Sequence, residues 1–237
     1  MPNNQAFPFP LYLVSDETTQ GEELAYLLRQ ALEGGVSIVQ IRHKGTAQSS
    51  DIRTFIERAQ TAKDVIDQFN QETVERNPRA TQVPLIINDR VDVALAVDAD
   101  GVHLGQSDMP VTLAKRLLSP NQLGKKKIIG LTVESPEQLQ QAQSLDIDYL
   151  GISTVFNTAT KQDTKHEWGL SGLAAAVKIS EKPLVAIGGI DYENIGQVAK
   201  TGVASIALVS AICAAKDPKQ TSEQLKAKMS FGEKIQL

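Results

Sequence analysis

Two cations and two carboxylates stand within four residues of the ends of short apolar runs of this sequence. Arg42 and Lys44 follow the run that ends at Ile41, and Asp89 and Asp108 follow the next two such runs. Carboxylate oxygens are the ligands that Mg²⁺ prefers when it keeps some waters and also meets substrate phosphates. Cations beside such a metal stabilise the charge of a leaving diphosphate. Together the four side chains suggest a site for a metal-bound diphosphate.

Each of these residues alone also has an ordinary structural explanation. Arg42 and Lys44 can be solvated loop charges, Asp89 can cap a helix that begins at Val91, and Asp108 can stabilise a turn. One carboxylate would therefore be weak evidence. The presence of two carboxylates beside two cations favours the functional interpretation.

A second group of residues is typical of phosphate binding. Gly188 and Gly189 follow one apolar run, and Ser210 begins a helix after the last run. In (β/α)₈ barrels, backbone N–H groups and a helix dipole meet a phosphate at these positions. The loop from Thr158 to Lys161 adds hydroxyls and a cation, although threonine-rich loops also form plain turns. The pattern predicts a phosphate but does not say which one.

These groups need a scaffold that gathers strand ends at one edge, and the apolar runs provide it. Most of the runs are continuous in Val, Ile and Leu, which fits parallel strands buried on both faces, and helical patterns lie between them. Eight such units predict a single (β/α)₈ barrel with its active site at the C-terminal strand ends. The predicted strands are Leu11 to Val14, Ile38 to Ile41, Leu85 to Ile87, Gly101 to Leu104, Ile128 to Leu131, Tyr149 to Ile152, Leu184 to Ile187 and Ser205 to Val209.

An open doubly wound sheet is the alternative architecture, but no Gly-x-Gly-x-x-Gly follows the first strand. We expect residues 1–237 to form one domain, with residues 1–10 as an N-terminal extension and residues 221–237 as a final helix and tail. The polar stretch from Gln71 to Gln82 is predicted to be an elaborated loop on the bottom face of the barrel.

Composition excludes several classes of protein. Hydrophobic residues make up 41% and charged residues 22% of the chain, so a packed core can form. The formal net charge of −4 argues against a nucleic-acid binder. The single cysteine, Cys213, excludes an intrachain disulfide and is expected to be a small buried hydrophobe. Met1 to Pro10 lack the features of a signal peptide or membrane span, so we expect a cytoplasmic protein with no membrane partner.

Taken in order, several motifs resemble the thiamine phosphate synthase family, and the resemblance runs from Leu11 to Ile212. The motifs are Gln40-Ile41-Arg42-His43-Lys44, Asn88-Asp89-Arg90, Gly101-Val102-His103-Leu104-Gly105-Gln106 with Asp108, Thr158-Ala159-Thr160-Lys161 and Ala186-Ile187-Gly188-Gly189-Ile190. No single motif is specific, whereas their ordered combination is.

The resemblance implies a (β/α)₈ barrel that joins 4-amino-2-methyl-5-hydroxymethylpyrimidine diphosphate to a thiazole phosphate, with Mg²⁺ required. It implies that Arg42, Lys44 and Lys161 assist catalysis and that Asp89 and Asp108 bind Mg²⁺. The residues implied to bind the pyrimidine diphosphate are Gln40, Ile41, Arg42, His43, Lys44, Asn88, Thr132 and Lys161. Those implied to bind the thiazole phosphate are Thr158, Ala159, Thr160, Gly188, Gly189, Val209 and Ser210.

The sequence departs from the family pattern in two places. Thr132 stands where the family usually has Ser, which keeps the hydroxyl and adds a methyl. Ser153-Thr154 stands where the family usually has Gly-Pro, so the conformation of the loop after the sixth strand stays open. Of the three histidines, His43 is predicted to be a loop residue, His103 a core or supporting residue, and His166 has no predicted role.

Two other functions stay open on the sequence. A thiazole tautomerase of the same superfamily would keep the phosphate half but would not need Asp89, Asp108, Arg42 and Lys44. A non-catalytic barrel that binds a phosphate ligand would explain only the glycines and Ser210. The oligomeric state is also open, and a homo-oligomer is suggested only by analogy between folds.

Overall fold

The computed structural model of this chain describes residues 7–44, 51–119, 126–157 and 167–233, which include eight strands. These are β1 (Leu11–Val14), β2 (Ile38–Ile41), β3 (Leu85–Asn88), β4 (Gly101–Leu104), β5 (Ile128–Val133), β6 (Tyr149–Ser153), β7 (Leu184–Ile187) and β8 (Ser205–Leu208). Each strand pairs in parallel with the next, and β8 closes the ring on β1. The predicted (β/α)₈ barrel is therefore confirmed, and the open sheet is excluded.

A helix follows each strand and covers the outside of the barrel. The helices are α1 (Gly21–Glu33), α2 (Ile52–Arg76), α3 (Val91–Ala96), α4 (Val111–Leu117), α5 (Pro136–Ala142), α6 (Gly169–Ile179), α7 (Ile195–Ala199), α8 (Ser210–Cys213) and α9 (Pro218–Glu233). The last helix begins at Pro218, slightly before the predicted start at residue 221. None of the helices in the described ranges is long and apolar enough to cross a membrane.

Strand side chains alternate between two apolar layers, as the two-residue period of an extended strand requires. In β1, Leu11 and Leu13 pack into the large core between the barrel and the helices, whereas Tyr12 and Val14 belong to the smaller core inside the barrel. Phe7 joins the inner core, and its ring lies 4.9 Å from the ring of Tyr149. Polar residues on the inward register of the strands therefore project into the barrel interior.

The predicted loop from Gln71 to Gln82 is partly wrong, because α2 continues to Arg76. The polar side chains that suggested a loop instead pair along the helix. Gln68 donates to Glu72 at 3.1 Å, and Gln71 donates to Glu75 at 3.1 Å. Polar pairs four residues apart stabilise an exposed helix without any apolar stripe. Only the segment after Arg76 connects α2 to β3 as a loop.

That loop is fastened to α2 by one side chain. Asn70 accepts from the Val83 backbone N–H at 2.8 Å and donates to the Val83 carbonyl at 2.9 Å. We expect Asn70→Ala to lower the free energy of unfolding by about 2 kcal/mol, because the buried Val83 groups lose both hydrogen bonds. Urea unfolding measures this change. Gln71→Ala is the matched control, and a loss as large in that variant would contradict the assignment to Asn70.

Candidate active site

A cavity of about 840 Å³ opens at the C-terminal end of the barrel and is lined by residues from all eight strands or the loops after them. Tyr12, Gln40 and His103 come from inside the barrel, whereas Lys44 and Asp191 come from the loops. Barrel enzymes hold their active sites at this end of the strands. The cavity lies where the sequence places the functional groups.

A smaller cavity of about 400 Å³ lies on the outside of the barrel, between α4 and the start of β5. The three lysines that line it pair with acidic side chains. Lys126 Nζ lies 2.7 Å from Asp148, and Lys115 pairs with Asp146. Since these lysines already have acidic partners, the larger cavity is the better candidate for an anionic substrate.

Arg42, Lys44, Asp89 and Asp108 line one side of the larger cavity. Lys44 Nζ lies 3.6 Å from an Asp89 carboxylate oxygen, and the Arg42 guanidinium pairs with Glu17 from the loop after β1. These residues come from the ends of adjacent strands. The structure therefore brings together the four side chains that the sequence assigns to a metal-diphosphate site.

The carboxyl groups of Asp89 and Asp108 lie within hydrogen-bonding contact of each other. Burial is the main reason that the pKa of Asp89 is raised to about 6, and Asp108 raises it further, while Lys44 and Arg42 oppose the shift. Two carboxylates this close repel each other unless a proton or a cation lies between them. A divalent cation would remove this repulsion.

Asp89 does not cap the helix that begins at Val91, which was the structural alternative to a functional role. The residue at the N-terminal cap of α3 is Arg90, and no side chain caps that helix. Asp89 itself has a φ of 61°, a left-handed conformation that aspartate adopts more readily than most residues. Asp108 does stabilise a turn, since its Oδ2 accepts from Gly105 N–H at 2.7 Å, yet it also lines the cavity.

Two residues of the predicted diphosphate set do not line the cavity with their side chains. Ile41 is fully buried in the outer core, because its register places it on the opposite strand face from Gln40. The His43 ring packs on Phe55 at 5.4 Å, and its Nδ1 lies 3.3 Å from the guanidinium of Arg58. Any contact of these two residues with a substrate would have to involve their backbone.

A chain of hydrogen bonds crosses the barrel beneath the cavity. Gln40 donates to the Tyr12 hydroxyl at 2.7 Å, and the Tyr12 and Tyr149 hydroxyls lie 2.9 Å apart. The chain continues to His103 Nδ1 at 2.9 Å and from His103 Nε2 to the Thr132 hydroxyl at 2.7 Å. Burial raises the pKa of both tyrosines, so their hydroxyls stay protonated. His103 is thus a supporting residue of the cavity.

One order of donors that these contacts allow leaves Thr132 with a proton to donate. Because the Gln40 amide donates, Tyr12 can donate to Tyr149, and Tyr149 to His103. This order requires the His103 proton on Nε2, which then donates to Thr132. With this order, the Thr132 hydroxyl, which lines the cavity, keeps its own hydrogen for a ligand.

The two tyrosines of this hydrogen-bond chain were not identified from the sequence. The glycines at Gly130 and Gly151 are the signal in the sequence that could have indicated a bulky neighbour. A Cβ at Gly130 would lie 2.2 Å from Tyr149 and 2.6 Å from His103, and a Cβ at Gly151 would lie 3.0 Å from His103. Glycine within strands often marks the close approach of another group. The glycines of β5 and β6 therefore make room for the ring pair.

Gly188, Gly189, Val209 and Ser210 line the other side of the cavity. A Cβ at Gly188 would lie 2.3 Å from Thr154 Cγ2, and both glycines have left-handed φ values of 104° and 64°. The loop after β6 lies directly on this turn, with Phe156 N–H donating to the Gly188 carbonyl at 3.0 Å. Only residues without a side chain fit between the two loops.

The described part of the loop after β6 is anchored at both ends. Val155 N–H donates to Ile187 O at 3.0 Å, and Trp168 N–H donates to Thr154 O at 3.0 Å. Ser153 and Thr154, which replace Gly-Pro, are buried and line the cavity. Thr158, Ala159, Thr160, Lys161 and His166 lie outside the described residues.

The comparisons with known proteins agree with one another. The model of the thiamine monophosphate synthase family matches residues 11–212. The chain is similar to thiamine-phosphate synthase from Vibrio campbellii, with 52% identity over 217 residues, 92% of this chain and 96% of that protein. Its similarity to the Vibrio parahaemolyticus thiamine-phosphate synthase is 49% identity, with 92% and 96% of the two chains covered.

A solved structure shows the same similarity in three dimensions. Thiamine phosphate pyrophosphorylase from Pyrococcus furiosus superposes with a TM-score of 0.78 and 34% identity, and the match covers 96% of this chain and 98% of that one. On the family match, the curated relatives and this structure, the chain belongs to the thiamine monophosphate synthase family.

Proposed function

We propose that this protein joins 4-amino-2-methyl-5-hydroxymethylpyrimidine diphosphate to a thiazole phosphate, giving thiamine phosphate and diphosphate. The observation that carries the proposal is the division of one cavity into two unlike halves. Arg42, Lys44, Asp89 and Asp108 line one half, and the Gly188 turn lines the other. A cavity with both halves suits two phosphorylated substrates that react with each other.

The donor set of the first half fits Mg²⁺. Asp89 and Asp108 offer hard oxygen ligands in mutual contact, and Asn88 lies beside them on the cavity wall. The described ranges contain no cluster of three or more His, Cys, Asp or Glu side chains that could hold a metal. Mg²⁺ commonly uses one or two carboxylates and takes its other ligands from water and substrate phosphates. When bound here, it would offset the negative charge of the diphosphate.

The floor of the cavity fits a flat heterocycle that both donates and accepts hydrogen bonds. Gln40 keeps its amide oxygen for a ligand, and Thr132 keeps its hydroxyl hydrogen. Asn88 Nδ2 is buried with no hydrogen-bond partner among the described residues. A buried donor without a partner costs free energy that a bound ligand would recover. We assign these three residues to the pyrimidine diphosphate.

The second half holds the thiazole phosphate through the backbone of the Gly188 and Gly189 turn, together with Val209 and Ser210. Asn194 donates to the Gly189 carbonyl at 2.8 Å and so holds the turn in place. The family resemblance adds Thr158, Ala159 and Thr160 to this half, which stays a prediction. It also adds Lys161, which would meet the diphosphate.

The reaction that these residues support is a dissociative substitution. The bond between the pyrimidine methylene and the diphosphate oxygen breaks, and its electron pair leaves with diphosphate. The thiazole nitrogen then supplies the pair that forms the new carbon–nitrogen bond. No proton has to be removed from the nitrogen, so no strong base is needed. Arg42 and Lys44 hold the diphosphate and stabilise its growing charge.

Cys213 offers no alternative nucleophile. Burial raises the pKa of its thiol to about 12, and the thiol lies 3.7 Å from the Val14 carbonyl. A thiol with this pKa is protonated at neutral pH, and the thiolate is the reactive form. The chemistry therefore rests on electrostatic stabilisation rather than on a covalent enzyme intermediate.

The decisive experiment mixes purified protein with both precursors and follows thiamine phosphate and diphosphate. We expect both products in equal amounts with Mg²⁺. With a chelator the rate should fall at least about 100-fold, because the leaving charge is no longer offset. Excess Mg²⁺ added back should restore the rate and serves as the control.

Two outcomes would overturn the proposal. Isomerisation of the thiazole carboxylate phosphate without any coupling would indicate a tautomerase. Calorimetry that shows uptake of phosphate monoesters but no Mg²⁺-dependent uptake of the pyrimidine diphosphate would indicate a binding protein. The single-domain organisation, a cytoplasmic location and a homo-oligomeric state stay predictions beside this one.

A further inference from the structure

Arg58 is a charged side chain buried behind the active site. It lies on α2 with 2% of its surface exposed, and it is not among the residues that line the cavity. Burial lowers its pKa from the ordinary value for arginine, although the nearby Asp16 and Glu17 carboxylates oppose that shift. A buried guanidinium is costly unless its N–H groups are satisfied. The groups that accept hydrogen bonds from Arg58 therefore indicate why a charged side chain is buried here.

The first set of partners lies in the loop after β1. The Arg58 guanidinium donates to the Asp16 carbonyl at 2.6 Å and to the Thr19 carbonyl at 3.1 Å. It also lies 4.0 Å from the Asp16 carboxylate. Between these two anchor points stands Glu17, the residue that pairs with Arg42. One side chain thus holds the backbone on both sides of the Arg42 partner.

The second set of partners lies in the segment after β2. Arg58 donates to the Arg42 carbonyl at 3.0 Å and contacts His43 Nδ1 at 3.3 Å. Ser15 links the two sets, since its hydroxyl accepts from the Arg42 N–H at 3.1 Å and from Arg58 at 3.4 Å. The backbone segment held by these bonds, Arg42 and His43, carries the Arg42 side chain and leads directly to Lys44.

We propose that Arg58 is a positioning residue for the diphosphate half of the active site. It holds the ends of β1 and β2 together so that Arg42 and Lys44 project into the cavity toward Asp89. This inference rests on the proposed function, because the proposed function assigns the diphosphate to that half of the cavity. Only a planar fork with five donors spans two loops in this way, whereas the single ammonium of lysine cannot.

The test compares Arg58→Lys and Ser15→Ala with the unaltered protein. For Arg58→Lys we expect the KM for the pyrimidine diphosphate and the Kd for inorganic diphosphate with Mg²⁺ to rise about tenfold. The KM for the thiazole phosphate should stay within about twofold. Ser15→Ala removes one hydroxyl from the same bridge and should shift the same two constants in the same direction, by a smaller factor.

Arg29→Lys is the matched control. Arg29, on α1, pairs with two carboxylates, Glu33 and Glu72, and lies on the outer side of the barrel, away from the cavity. A purely structural role for Arg58 predicts lower thermal stability with both KM values unchanged, or both changed alike, and either result would overturn the proposal. If Arg58→Lys does not fold, Ser15→Ala decides alone. An unchanged Kd for inorganic diphosphate in that variant would then count against positioning.

The two hypotheses fail in different ways. If the unaltered protein makes no thiamine phosphate, the proposed function fails regardless of any variant. If the unaltered protein is active but neither Arg58→Lys nor Ser15→Ala changes diphosphate affinity, only the positioning role fails. The calorimetric measurement with inorganic diphosphate keeps these cases apart, because it does not depend on turnover.

Discussion

Replacing Asp89 with asparagine or alanine should lower kcat/KM for the coupling reaction at least about 100-fold while the barrel stays folded. The Asp89 carboxylate contacts Asp108 and lies 3.6 Å from Lys44, so it stands between the proposed metal ligands and the proposed diphosphate cations. Its removal would leave the metal with one carboxylate. The coupling assay measures the loss, and thermal unfolding shows that the fold persists.

The two substitutions distinguish the effect of losing the Asp89 carboxylate from the effect of straining the backbone at this position. Asparagine tolerates the left-handed φ of 61°, whereas alanine there costs about 1 kcal/mol of stability. Equal losses of activity with a stability loss only in Asp89→Ala would assign the effect to the carboxylate. Asp92→Ala is the control. Asp92 lies three residues after Asp89, is exposed and pairs with Arg90. Near-normal turnover of Asp89→Asn would remove Asp89 from the metal site.

The barrel could be predicted because its strands are short, continuous apolar runs, and such runs form strands only where both faces are buried. The strand ends were accurate to within two residues, and the differences follow pairing. β5 extends to Val133 since that residue pairs with Ile152 on β6. This places Thr132 inside a strand, with a fixed register opposite Gly151.

Residues at strand ends were also predictable, because a parallel barrel brings every strand end to one rim. The interior was less predictable. Tyr12 and Tyr149 are 137 residues apart in the sequence. Each looks like an ordinary apolar strand residue, and their contact forms only when the eight strands close into a barrel. Their contact depends on the register of β1 and β6 across the barrel. A single sequence carries no direct signal of that register.

Arg58 shows a further limit of pattern reasoning. It stands on the buried stripe of α2, three residues after Phe55 and four before Ala62, where an apolar residue is the usual occupant. Conversely, Gln71 to Arg76 lack an apolar stripe but remain helical through paired polar side chains. In both cases specific hydrogen bonds outweigh the polarity pattern. These bonds become visible only when the chain is folded.

Replacing Gly188 with alanine should impair the thiazole phosphate half alone. The new Cβ would lie 2.3 Å from Thr154 Cγ2, and the φ of 104° is unfavourable for any residue with a side chain. The turn and the loop after β6 must then move apart, and displacements of this kind can lower kcat/KM about 100-fold. We expect this loss to show as a higher KM for the thiazole phosphate, with the KM for the pyrimidine diphosphate nearly unchanged.

A second substitution tests the cause of the Gly188→Ala effect. Thr154→Ser removes the Cγ2 methyl, the atom that the new Cβ would strike, so the double variant should recover part of the lost activity while the φ strain remains. Gly196→Ala is the matched control, because a Cβ there meets only Lys228 atoms at 3.5 Å or more. Equal increases in both KM values for Gly188→Ala would contradict the division of the cavity. A normal KM for the thiazole phosphate would show that its phosphate does not rest on this turn.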